Sequence, residues 1–307
     1  MARKDGKKGW NLNMPEKTKV KRRRGDRRDG RWIRTLDPYS LVPSYVMVKR
    51  NDACNYFFDK IEVTEIDRYL RKKRADGMTG LGMLHLVAAA YVRMAARYPR
   101  VNRFVSGQRV YARHGVELVM TVRSDLKIEA AATSIKVKLE LTDTINDVFT
   151  KINAEIEKVK MGASTNTDAA AEKLVRLPRL LLKFAVFMMN LLDYFGKLPR
   201  ALLEASPFHG SVIITDLGSI GLPPIFHHLY NFGNLPLFIS LGAKRREPEL
   251  QKDGSVIERK YLDYTLVSDE RTADGFYFSQ VYRYFRAILR TPEMLDNPPE
   301  EVVSDID

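Results

Sequence analysis

The chain has 307 residues, 45% of them hydrophobic, with a net charge of +13, enough apolar material for one large domain or two small ones. The single cysteine, Cys54, excludes an internal disulfide framework, and no apolar N-terminal stretch has the form of a secretory signal, so a reduced, cytoplasmic setting is expected. The charge sits mostly at one end: residues 1–31 hold 13 Lys/Arg and 4 Asp/Glu, a local +9 that leaves only +4 for the remainder.

That end, centred on Lys17-Thr18-Lys19-Val20-Lys21-Arg22-Arg23-Arg24, has too few apolar residues to offset its ordering entropy, so residues 1–31 are expected to form a disordered basic tail. Counterion release would let it bind nucleic acid or an anionic membrane. A solubilising terminus is the plainer expectation, because the tail lacks aromatics interleaved with Lys/Arg.

The folded part is expected from Trp32. Alternation over Asn55–Val63 predicts a strand, and Thr64 an N-cap for a short helix over Glu65–Lys73. Leu84, Val87, Ala88, Tyr91 and Ala95 recur at helical spacing and predict a helix over Leu81–Tyr98, closed by Pro99. His85 inside it reads as a core residue, since no second ligand stands at metal spacing on that face. Two strands follow through Gly107, with cores at Val110–Arg113 and Val116–Val122; a further strand region over Leu126–Leu139 precedes an amphipathic helix over Asp143–Val159. Gly162–Ala171 reads as a polar break.

The most apolar segment, Leu177–Leu203, has a longest uncharged stretch of nine residues, Phe184–Leu192, against the roughly 20 needed to span a bilayer. Spanning is therefore excluded. A core or oligomer-interface helix is expected; the alternative is an interfacial helix, because Arg176, Arg179, Lys183, Lys197 and Arg200 flank the apolar residues.

From Ser211 to Gly221 a β-branched run leads into a glycine-containing turn, a buried strand with an exit loop whose glycines lack dinucleotide-binding spacing. Thr215 near its end reads equally as a strand hydroxyl bonded to a neighbour. His227 and His228 are adjacent, so they point in different directions and make no ready metal site; no metal is expected. Strands over Leu235–Leu241 and Lys260–Ser268 flank a hairpin turn at Lys252–Ser255. Asp269-Glu270-Arg271-Thr272-Ala273-Asp274-Gly275 then joins a strand to a helix pattern over Phe276–Leu289, with Gly275 suited to close backbone approach or positive φ. An acidic tail over residues 296–307 without Lys or Arg is expected to be flexible.

Four stretches carry a resemblance. Asp269–Gly275 resembles the Asp-His-Arg-x-x-Asp-Gly form of the 2-oxoacid dehydrogenase acyltransferase catalytic domain, itself a version of the His-x-x-x-Asp-Gly signature of the chloramphenicol acetyltransferase fold, with Glu270 where the family has its histidine. Ile214-Thr215-Asp216-Leu217-Gly218 is similar to the Ile-Ser-Asn-Leu-Gly motif of those acyltransferases. The helix ending at Pro99-Arg100-Val101-Asn102 resembles their long helix ending in Pro-x-x-Asn, and Trp32-Ile33-Arg34 resembles the start of chloramphenicol acetyltransferase.

Over Trp32–Leu295 the resemblance implies one α/β domain, a two-layer sandwich with a mixed sheet, that forms a homotrimer with its channel between subunits. It implies acyl transfer from a small-molecule thioester, coenzyme A or a lipoyl-type thiol, to an acceptor. Glu270 then stands in for the base, Thr215 donates to the oxyanion, and Arg34 pairs with Asp274 to fix the loop. Gly275, Ser219, His227 and His228 fall in the substrate-binding region, and one of the two histidines is a candidate replacement base. Residues 1–31 cannot fold into a lipoyl domain, so no covalently attached lipoyl group is expected. Glu270 is a weak base toward a thiol, because an unperturbed Glu near 4.3 facing a thiol near 8.5 is roughly 6 kcal/mol uphill, against about 2 units for His. Catalysis by Glu270 therefore requires an apolar cleft that raises it and proximity to Thr215, within a subunit or across a contact. The alternative function is a catalytically degenerate trimer that binds a partner.

Overall fold

Helix α4 (Met83–Arg97) is the centre of the molecule, and nearly all of its 15 residues are buried. The run Ala88-Ala89-Ala90 keeps its middle narrow, so a sheet and two further helices approach it closely. His85 belongs to its first turn: its Nδ1 accepts from the Gly82 amide at 3.1 Å, and burial pushes the imidazole pKa down. These observations come from a computed structural model that describes residues 22–123, 132–161 and 166–307.

A six-stranded sheet lies against α4 in the order β2 (Cys54–Glu62), β9 (Val256–Asp269), β8 (Leu237–Leu250), β7 (Val212–Asp216), β5 (Val116–Arg123), β6 (Ala132–Leu139). Central β7 runs parallel to both neighbours, while the other pairs are antiparallel, which makes the sheet mixed. Successive side chains take opposite faces. Leu118, Met120, Val212, Ile214, Leu237, Ile239 and Leu266 enter the core with α4, α5 (Ile145–Lys160) and α9 (Gly275–Arg290). The other face therefore carries Thr121, Ile213, Thr215, Phe238, Ser240 and Thr265, and among the described residues the main-core helices α4, α5 and α9 lie on the opposite side.

The remaining elements are α1 (Pro38–Leu41), α2 (Pro43–Val46), α3 (Thr64–Ala75), α6 (Asn166–Val175), α7 (Arg179–Tyr194) and α8 (Arg200–Ala205), with a small sheet of β1 (Gly30–Trp32), β4 (Arg109–Arg113) and β3 (Arg103–Ser106).

Several sequence expectations need correction. Residues 22–31, expected in a disordered tail, belong to the fold: Gly30 and Arg31 pair with β4, and Arg27 is 2% exposed, bonded to Asp29, Ser106 and Asp193. Residues 1–21 lie outside the described residues. The acidic C-terminus is likewise tied down, because its carboxylates answer buried basic groups. Asp305 takes both arms of the Arg103 guanidinium at 2.7 and 2.5 Å, and the Val303 amide donates to Ala96 at 2.8 Å. The polar break includes helix from Asn166 onward; the part of it over 162–165, like residues 124–131 of the strand region, lies outside the described residues. Strands β8 and β9 run well past their apolar parts, because Arg245–Asp263 (2.6 Å), Arg246–Glu258 and Arg259–Glu249 pairs replace apolar contacts along the ribbon.

Candidate functional site

On the open face of the sheet, register aligns three hydroxyls across three strands: Thr215 opposite Ser240, and Ser240 opposite Thr265. Two of them are committed. Ser240 Oγ accepts from the Ile225 amide at 3.2 Å, and Thr265 Oγ1 donates to the Ile225 carbonyl at 2.5 Å, so together they staple the strap 222–231 onto the sheet. The third, Thr215, has no side-chain hydrogen bond among the described residues; it is half-buried and lines a cavity of about 260 Å³ with Thr121, Ser134, Phe208, His227 and Tyr230.

Glycine builds the turn after Thr215. A Cβ on Gly218 would stand 2.3 Å from the Gly242 carbonyl oxygen, and one on Gly242 would stand 2.4 Å from Pro224, so only paired glycines let turn and strap lie this close to β8. Asp216 Oδ1 caps the turn by accepting from the Ser219 amide at 3.2 Å. Burial pushes the Asp216 carboxyl pKa up. Ser219 is exposed, and its hydroxyl donates to the Asp216 carbonyl at 2.6 Å, which leaves it a turn-forming residue in this chain.

The two histidines part company. His227 stacks on Phe238 with centroids 4.3 Å apart and faces the Thr215 cavity, whereas His228 is exposed and outside that lining. His227 Nδ1 lies 2.8 Å from the His228 carbonyl oxygen, a contact that requires Nδ1–H, and Nε2 lies 3.5 Å from the Tyr230 hydroxyl.

Loop 269–275 is fixed differently from expectation. Arg34 does not reach Asp274: it pairs with Asp26 at 2.8 Å and stacks on Trp32. Asp274 is the N-cap of α9, accepting from the Tyr277 amide at 2.8 Å, with Arg100 at 3.6 Å. The clamp is instead Asp269, fully buried, which receives Arg271 at 2.8 and 2.6 Å and has Arg50 at 3.4 Å. Arg50 also donates to the carbonyls of Val105, Tyr230 and Gly233, tying loop, strap and β3 together. Burial lowers its pKa to about 10, although Asp269 beside it acts to raise it. Such a buried bidentate pair rigidifies a loop. An Asp and an Arg two residues apart in an apolar-flanked loop was the available signal; Arg50 had none nearby.

With the clamp turned inward, Glu270 points outward: its amide donates to Ala53 at 3.0 Å and its side chain is exposed. Gly275 has open space where a Cβ would stand and an ordinary φ, so the close approach expected of it is not made within one chain. Nor do the described residues of one chain enclose Glu270 in the apolar cleft expected around it, since its side chain is exposed. Glu270 follows Thr265 by five residues, about 16 Å along the strand, with Thr215 a further roughly 10 Å across. One chain therefore does not bring Glu270 and Thr215 onto the same substrate. Among the described residues no group of three His, Cys, Asp or Glu side chains is placed to hold a metal.

No protein-family model and no curated protein matches the sequence. Solved structures do match the fold. A probable dihydrolipoamide acetyltransferase from Listeria monocytogenes is similar with TM-score 0.55 at 12% identity, covering 82% of this chain and 89% of that one. A truncated catalytic core of the 2-oxoacid dehydrogenase multienzyme complex from Thermoplasma acidophilum gives TM-score 0.52 at 13% identity, covering 84% and 97%. A chloramphenicol acetyltransferase follows at TM-score 0.48 and 12% identity, covering 82% and 94%. The mixed sheet with its helical layer is thus the fold of the 2-oxoacid dehydrogenase acyltransferase catalytic cores.

Proposed function

We propose that this protein is a thioester-dependent acyltransferase, working as a homotrimer on coenzyme A or a related thiol, with a site completed between copies. Thr215 donates its hydroxyl to the oxyanion of the tetrahedral intermediate, and Glu270 of a neighbouring copy takes the thiol proton. The uncommitted Thr215 hydroxyl carries the reading: of three aligned hydroxyls it alone has no side-chain hydrogen bond among the described residues, and it lines a cavity. The open sheet face also bears exposed Tyr56, Phe58 and Phe226, apolar surface suited to a contact between copies. Loop fixation falls to Asp269, Arg271 and Arg50, with Asp274 starting α9.

A second assignment of the base is favoured by one observation: His227 lines the Thr215 cavity, with its Nδ1 turned to the His228 carbonyl oxygen. Thiol release from an acyl-coenzyme A by wild type, Glu270→Gln, His227→Gln and Thr215→Ala tests both. Loss in Thr215→Ala and Glu270→Gln, with His227→Gln active, supports the first assignment; loss on His227→Gln with Glu270→Gln active supports the second. Absence of turnover in wild type across acyl donors would end the enzyme reading and leave the scaffold one.

A further inference from the structure

Helix α7 carries its apolar residues on the outside. Leu180, Phe184, Phe187 and Leu191 follow at spacings of four, three and four, one face of a helix, and they are 80%, 61%, 59% and 40% exposed. Phe195, just beyond the helix, is 64% exposed. Asp193 is the one buried residue of α7, so this is not a core helix of the chain.

Exposed charge on the helix itself has one sign, while the flanking Arg176 and Arg200 each meet a carboxylate, Glu172 at 3.9 Å and Glu204 at 3.1 Å. Between Arg176 and Arg200 stand Arg179, Lys183 and Lys197 as well, all exposed, and the only carboxylate is Asp193. Asp193 is turned inward, where it receives Arg27 at 2.5 Å. Arg179 and Lys183, four residues apart, form a basic flank beside the stripe, and no side chain caps the first turn after Pro178. Two copies meeting through α7 would bring these cations together without an answering carboxylate on the helix. Anionic headgroups over an acyl boundary answer both features at once, since long basic side chains lie along apolar surface and hold their charge at its edge.

We propose that α7 seats the protein on an anionic phospholipid surface, lying in its plane, with Leu180, Phe184, Phe187 and Leu191 among the acyl chains and Arg179 and Lys183 at the phosphates. At 16 residues the helix is about 24 Å long. No helix among the described residues is long and apolar enough to cross a membrane, so the contact is to one leaflet.

Flotation of the full chain with vesicles tests this, using phosphatidylcholine alone and phosphatidylcholine mixed with phosphatidylglycerol. Wild type is expected to float with the mixed vesicles and not with the neutral ones. Phe184→Ser combined with Phe187→Ser, and separately Arg179→Glu combined with Lys183→Glu, are each expected to lower the partition coefficient roughly tenfold or more, with the mass in sedimentation velocity unchanged. Because both variants keep residues 1–31, equal flotation of wild type and variants would place binding in the basic terminus and overturn the proposal. So would a wild type that does not float, or a serine variant whose oligomeric mass falls, which would make the stripe a contact between copies. Should the serine variant fail to fold, the charge-reversal variant, altered only at exposed side chains, decides alone.

Discussion

Thr215 and Ser240 face each other across β7 and β8, yet only Ser240 is tied to the strap, and this difference sets what substitution should do. If Thr215 meets the oxyanion, Thr215→Ala lowers kcat by about 10²–10³ with little change in KM, while Thr215→Ser retains most of the rate, as steady-state thiol release would read. Glu270 offers the opposite kind of test. The proton gap to a thiol is about 4 units for an ordinary Glu and about 2 for His, so Glu270→His should raise the single-turnover rate near neutral pH; an unchanged rate would remove Glu270 from the proton path. At this scale the sequence was partly legible. Thr215 and the loop stand out in the sequence because each sits in a motif, but motifs report position along the chain and not direction in space. Glu270 points outward because Asp269 and Arg271 on either side of it are drawn into a buried ion pair, and Arg34 departs from the partner its motif implies because Asp26, eight residues earlier, captures it.

Elements were easier to read than their attachments. Strong periodicity located α4 and α5 within a few residues, and alternation located β2, whereas the ribbon of β8 and β9 escaped because paired charges hide a strand from any apolar pattern. The attachment of α7 was not visible at all, since it depends on Arg27 and Asp193 meeting across 166 residues. Burial would raise the Asp193 carboxyl, but His209 and Arg27 beside it outweigh burial and hold it at about 2. Asp193→Ala removes one of the two carboxylates on the buried Arg27 guanidinium and leaves Asp29 at 2.9 Å on the other side, so the cost in urea unfolding should be below the roughly 3–5 kcal/mol of a fully unpaired buried charge. The same cluster makes the protein acid-sensitive. His209 is 1% exposed, and burial pushes its imidazole below the ordinary 6.5. The unfolded chain then takes up a proton that the folded one refuses, so this contribution is complete above about pH 6.5 and declines below it. His85 and His114, lowered by burial in the same way, steepen the decline. The Asp193 contribution persists further, fading only from about pH 4 toward about pH 2. Urea midpoints should therefore fall between about pH 7.5 and about pH 5.5, and His209→Gln should flatten that slope.

For the whole molecule the decisive quantity is the separation of Glu270 from Thr215. The offset along and across the sheet, about 16 and roughly 10 Å, is far beyond the reach of a carboxylate to a nucleophile bound at the hydroxyl. A transferase that uses both must draw them from different copies, and this separates a shared site from a self-contained one. Glu270→Gln and Thr215→Ala, each inactive alone, should regain activity when the two variants are co-expressed. In a mixed assembly some sites combine the Glu270 of one variant with the Thr215 of the other. With equal amounts and random assembly in a cyclic trimer about one quarter of the sites are intact, so the pooled protein should show about a quarter of the wild-type rate. Activity that does not return in verified mixed assemblies would mean that the two residues do not serve one site. A His227→Gln variant distinguishes what remains. If His227 is the base, it shares its cavity with Thr215 in a single chain, and co-expression of His227→Gln with Thr215→Ala should restore nothing. The two pairings give opposite outcomes from the same assay, which ties the identity of the base to the way copies meet.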